Sequence, residues 1–79
     1  MQTEMFMAPV SITRTATGSL YCMRGGGVLA VLPHVETDVE MRRELRKWNE
    51  GNTPVVRPEV CDQFVAEAVR RGLVEPMPF

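Results

Sequence analysis

The densest apolar stretch of the chain is Val28-Leu29-Ala30-Val31-Leu32, bounded by Gly25-Gly26-Gly27 on one side and Pro33 on the other. An unbroken apolar run of this length, punctuated by Gly and Pro, predicts a strand covered on both faces. Before it the period is two. Val10-Ser11-Ile12-Thr13-Arg14-Thr15 alternates apolar with polar and is rich in β-branched residues, which assigns Val10 and Ile12 to a core and Ser11, Thr13 and Thr15 to water. Ala16-Thr17-Gly18-Ser19 is a turn cluster, and Leu20-Tyr21-Cys22-Met23-Arg24 returns as a second strand. The triple glycine then turns the chain into the Val28–Leu32 strand, which makes a three-stranded meander.

After Pro33 the period changes to that of a helix. Thr37 and Glu40 have the spacing of a capping box, with Asp38 adding negative charge at the helix start. Met41, Leu45 and Trp48 follow as one apolar stripe, and Gly51 is placed to end the helix at C′. Asn52 to Arg57 is too short for another helix and reads as a connector. Pro58 and Glu59 open the second helix, whose broad apolar face is Val60, Cys61, Phe64, Val65, Ala68 and Val69. Glu67 and Arg71 are four apart on its outside, and Gly72-Leu73 has the form of a Schellman ending.

The fold expected is therefore α+β: a three-stranded antiparallel β-meander followed by two amphipathic helices packed on one face. It forms a single domain over residues 1–79, with flexible ends expected at 1–4 and 76–79. The expected core is Val10, Ile12, Leu20, Cys22, Val28, Leu29, Val31, Leu32, Met41, Leu45, Trp48, Phe64, Val65, Ala68 and Leu73. Truncating Trp48 within it is expected to cost about 3–5 kcal/mol.

Composition narrows the class more than the function. With 79 residues, 44% hydrophobic and 24% charged, the chain is an ordinary globular sequence, and a small one. Domains of this size bury only about 60–65% of the surface their unfolded chains expose, so a partner subunit is a natural source of added stability. A homodimer is expected on that ground. The net charge of −1 draws the whole molecule toward neither nucleic acid nor an anionic membrane. No apolar run approaches the roughly 18 residues of a membrane span, and the first residues lack a signal-peptide pattern, so a cytoplasmic location without membrane contact is expected. In that compartment the two cysteines, Cys22 and Cys61, are expected to be reduced and to pack as small hydrophobes.

The candidate chemistry is sparse. Glycines that cradle phosphate lead into a helix, with a following Lys and Ser or Thr, whereas Gly25–Gly27 lead into a strand and read as a turn. His34 is the only histidine, so no histidine pair exists to ligate metal. A Cys22–His34 pair is the one nucleophile arrangement available, and it is the weaker alternative to a loop histidine and a buried thiol. No catalytic residue, cofactor or metal is assigned, and the chain is read as not an enzyme. On the first helix Arg42, Arg43, Arg46 and Lys47 form a basic cluster, interleaved with Glu40, Glu44 and Glu50. It fits a solvated face, a contact for an acidic protein, or, as the alternative function, a phosphate-binding surface of a small nucleic-acid-binding regulator. Met5, Phe6, Met7, Met77 and Phe79 lie outside the expected elements, and flexible or aromatic apolar groups of this kind suit adaptable contacts.

The stretch Phe64-Val65-Ala66-Glu67-Ala68-Val69-Arg70-Arg71-Gly72-Leu73-Val74-Glu75 resembles the last helix of many small winged domains. A similar helix–Gly-Leu-Val ending follows a strand meander in the peptide-chaperone family that includes the pyrroloquinoline-quinone biosynthesis protein D. The residues between Gly51 and Pro58 are too few for the middle helix of either pattern. The function expected from the residues is a small protein-binding module of the kind that bacterial or phage-encoded accessory regulators and inhibitors use. Its expected contact residues are Phe6, Met7, Arg42, Arg43, Arg46, Met77 and Phe79.

Overall fold

The computed structural model describes residues 9–78 and shows the expected α+β architecture. Strands β1 (Val10–Arg14), β2 (Leu20–Arg24) and β3 (Gly27–Leu32) form one antiparallel sheet in the order β1-β2-β3, followed by helices α1 (Asp38–Gly51) and α2 (Pro58–Arg70). The helices share one face of the sheet, α2 against β1 and α1 against β3, and they pack on each other.

Local chemistry accounts for most of the boundaries. The first hairpin closes through a loop in which Gly18 N–H donates to Thr15 O at 3.0 Å and Thr15 N–H to Ser19 O at 2.8 Å. The second closes on Gly25-Gly26, with φ +61° at Gly25, the first loop position, where a type II′ hairpin turn demands glycine. At α1 the capping box forms as the spacing predicts: Thr37 Oγ1 accepts from Glu40 N–H at 3.1 Å, and the Glu40 carboxylate accepts from Thr37 N–H at 3.3 Å. Helix α2 ends in the Schellman geometry, with Gly72 at φ +75° and Leu73 N–H donating to Ala68 O at 2.8 Å. Gly51 does not end α1. It lies within the helix, and Asn52 takes the C-cap in an extended conformation, its side-chain amide donating to Trp48 O at 2.9 Å.

The core comprises Ile12, Leu20, Cys22, Ala30 and Leu32 from the sheet, Met41 and Leu45 from α1, and Val60, Phe64, Val65 and Ala68 from α2. Val35, Val56 and Val74, all outside regular elements, complete it. Val10, Leu29, Trp48 and Leu73 are only partly buried against this cluster. The main correction concerns β3, which is an edge strand covered on one face. Because both helices lie on one side, alternate residues of the apolar run face outward, and Val28 is 47% exposed while Val31 is half-buried. Its register is also broken. Cys22 pairs with Ala30 but Met23 pairs with Val28, so Leu29 is the extra residue of a β-bulge.

The end of the chain is tied to the start of α1. Glu75 N–H donates to Glu36 O and Asp38 N–H to Glu75 O, both at 2.9 Å, and Met77 N–H donates to the Asp38 carboxylate at 3.1 Å.

Candidate functional site

The most built surface is a cleft between the start of β3 and the connector, residues 52–57. Asn49, in the last turn of α1, fixes the connector by clasping one residue twice: its side-chain oxygen accepts from Val56 N–H at 2.8 Å and its amide donates to Val56 O at 2.9 Å. The Cys61 thiol adds a weaker contact to the same carbonyl at 3.6 Å. Val56 is thereby buried. In an extended connector the next side chain must point the other way, and Val55 is 54% exposed.

This wall stands opposite Val28 and Leu29, with half-buried Trp48 between, and together they enclose a cleft of about 300 Å³. Its apolar lining is completed by Pro54 and Val60. Two guanidinium groups, Arg24 and Arg57, also line it. Arg57 has an exposed ion pair with Glu59 at 3.9 Å. The cleft is suited to an apolar side chain accompanied by a carboxylate.

The arginines assigned to partner contact are divided by the structure. Arg42 is held by Asp62 of α2 at 2.6 Å, and Arg42 and Arg46 line a second hollow, of about 320 Å³, between the two helices. Arg43 and Arg46 are exposed and form no salt bridge among the described residues, while Lys47 pairs with Glu44 at 3.5 Å. Met77 is 41% exposed and is held at the start of α1, at the other end of that helix from the connector. Phe6, Met7 and Phe79 lie outside the described residues. Glu67 pairs not with Arg71 but with Arg70, through two bonds of 3.0 and 2.6 Å, and Arg71 instead donates to Ile12 O.

Cys22 and His34 occupy different surroundings. Cys22 is fully buried on β2, and burial, with Cys61 adding to it, pushes its thiol up to about 12. Burial and then Asp62 also raise the Cys61 thiol, against the opposing pull of Arg42. His34 is exposed, and its Nδ1 lies 2.6 Å from an Arg14 guanidinium nitrogen. Since guanidinium only donates, Nδ1 is the acceptor. Among the described residues no group of three or more His, Cys, Asp or Glu is arranged to hold a metal ion, and no helix is long and apolar enough to cross a membrane.

Sequence reasoning missed the cleft because it assigned Val28 and Trp48 wholly to the core and Val55 to a plain connector. A signal was present in Val55-Val56: two adjacent apolar residues in an extended segment cannot both face the core.

No family model, curated protein or solved structure matches this chain, so the likeness of its last helix to winged domains and the peptide chaperones remains local to that helix.

Proposed function

We propose that this chain is a small, non-enzymatic protein-binding module, and that the cleft between β3 and the connector is its binding surface. The observation that carries the reading is the lining itself, with exposed Val28 and Val55 and half-buried Trp48 beside the Arg57 guanidinium. The partner it fits is a protein segment presenting an apolar or aromatic side chain next to Asp or Glu. Anchors of this kind supply most of the energy at small interfaces, and charge complementarity selects among them. The buried, protonated Cys22 thiol and the Arg14-bound His34 support a binding role over nucleophilic chemistry. The homodimer expected from the size of the chain is carried within this proposal, and light scattering during size exclusion measures it.

The test is selection of short random peptides displayed against the immobilised protein. The expected result is enrichment of Asp or Glu beside an aromatic or aliphatic residue, with binding lost in Val55→Lys and kept in Arg43→Glu. Peptides that bind Val55→Lys as well as the unaltered chain would remove the cleft from the reading.

Arg43 and Arg46, exposed and without a salt bridge among the described residues, favour a second reading, phosphate contact by the α1 face. It predicts binding to duplex or single-stranded nucleic acid that falls steeply with salt and is lost in Arg43→Glu/Arg46→Glu.

A further inference from the structure

The cleft does not stand alone. The hollow between the two helices, of about 320 Å³, follows it along the connector, and Val56 lines both. We propose that the two form one binding surface, on which an extended, acidic segment of a partner protein lies along the connector and puts an apolar side chain into each. This two-anchor ligand rests on the cleft being the binding surface, and it gives that reading a form of partner.

The connector is a fixed divide between the two spaces. Asn49 clasps Val56 at 2.8 and 2.9 Å, and the flanking helices are shared out at that point: Trp48 and Val60 line the cleft, Asn49 and Cys61 the hollow. At about 300 and 320 Å³, each space has room for one or two side chains. Burying one apolar side chain supplies only a fraction of the free energy of micromolar binding. Two anchors on one segment bind together, because the second enters as an intramolecular event.

The backbone of the connector favours an extended ligand. The clasp takes up both polar groups of Val56, whereas the Val55 N–H and C=O make no hydrogen bond among the described residues. An extended segment can pair with them, while a helix has already satisfied its own backbone groups. Alternate side chains of an extended chain point the same way, about 7 Å apart, so one backbone seats both anchors without folding back.

Charge sets the sign of the segment. Arg57 lines the cleft, and Arg42 and Arg46 line the hollow, where Arg42 is held by Asp62 at 2.6 Å. Arg46 is exposed and forms no salt bridge among the described residues. Arg43, also exposed on α1, is not among the residues that line either space, so the two arginines separate a lining contact from the general charge of the helix.

Each space contains its own reporter. Trp48 is the only tryptophan and lines the cleft. Half-buried Cys61 lines the hollow, and the other cysteine, Cys22, is fully buried. Peptides selected by display on the unaltered chain are titrated against it, reading Trp48 emission and the rate at which N-ethylmaleimide modifies Cys61, located by mass spectrometry. One peptide is expected to blue-shift the emission and slow the modification over the same concentration range. The selected sequences are expected to carry two apolar residues two or four positions apart, with Asp or Glu beside them. Replacing either apolar residue by Ser is expected to weaken binding about tenfold or more and to abolish one of the two signals. Arg46→Glu is expected to weaken binding about fivefold or more and Arg43→Glu less than about twofold, with circular dichroism unchanged in both.

A peptide that shifts Trp48 and leaves the Cys61 rate unchanged overturns the proposal while the cleft stays a binding surface. Equal losses in Arg46→Glu and Arg43→Glu also overturn it, because they report only the charge of α1. If no peptide is selected, or if the selected peptides bind Val55→Lys as well as the unaltered chain, the reading of the cleft fails and the two-anchor surface fails with it.

Discussion

Phe64 and Trp48 show how much one aromatic residue's role depends on what covers it. Both belong to apolar helix stripes, yet Phe64 is 0% exposed in the centre of the core while Trp48 is half-buried with one side open to the cleft. Phe64→Ala removes contacts on every side and is expected to cost about 3–5 kcal/mol. For Trp48→Ala the expected cost is smaller, about 1–2 kcal/mol, because much of the ring's surface never leaves water. Midpoints of urea unfolding for the two variants measure the difference, and equal losses would place Trp48 in the core after all. The larger value expected for Trp48 from sequence treated a helix stripe as if its whole width were covered. The stripe is visible in residue spacing, but its cover depends on the connector that Asn49 pins across from β3.

At the scale of elements, the helix ends were legible because their chemistry is local. Thr37 with Glu40, and Gly72 with Leu73, interact within one turn, so residue spacing alone predicts them. The capping box also makes stability depend on pH. The Glu36 N–H, foremost, and the Thr37 N–H hold the Glu40 carboxyl below the usual glutamate range, with Arg43 assisting, and burial opposes them. The Arg70 hydrogen bond does the same for Glu67. As pH falls, the unfolded chain therefore takes up protons before the folded one. The stabilisation is complete above the unfolded glutamate value of about 4.3 and is lost as pH falls through the depressed folded values. Urea midpoints are expected to drop between about pH 5 and about pH 3, and Glu40→Gln, which keeps the acceptor without titrating, should flatten part of that drop. A slope unchanged in Glu40→Gln would show that the capping carboxylate does not contribute. The end of α1 was not legible in the same way, because Gly51 permits a C′ turn without requiring one, and the structure keeps Gly51 in the helix with Asn52 as its extended cap.

Over the whole molecule, two arginines close the first strand against the end of the last helix. Arg14 of β1 donates to Leu73 O at 2.9 Å, and Arg71, after α2, donates back to Ile12 O. Each tie spans most of the sequence, and spacing gave no sign of either: Arg71 reads as an outward partner of Glu67, and nothing in the spacing marks Arg14. Arg14→Met and Arg71→Met are each expected to lower stability by about 1–2 kcal/mol. A double-mutant cycle should show them coupled by about 0.5 kcal/mol or more, because both join the same two elements. Strict additivity would mean that the two ties act independently. Arg71 also places a guanidinium at the Ile12 carbonyl of β1, one edge of the sheet, whereas β3 at the other edge carries a bulge and opens onto the cleft.

The amino-acid sequence by itself determined the elements, their order, the turns at Gly18 and Gly25, the capped start of α1 and the Schellman end of α2. Each of these follows from interactions between residues a few positions apart. The placement of both helices on one face was also expected, and only the tertiary structure decided its consequence for β3: Val28 is exposed, and an apolar run expected to be fully buried is an edge strand. It also decided that Val56 turns inward and Val55 outward, and that Arg42 is occupied by Asp62. These outcomes depend on which surfaces meet across the whole chain, and residue spacing carries no information about that.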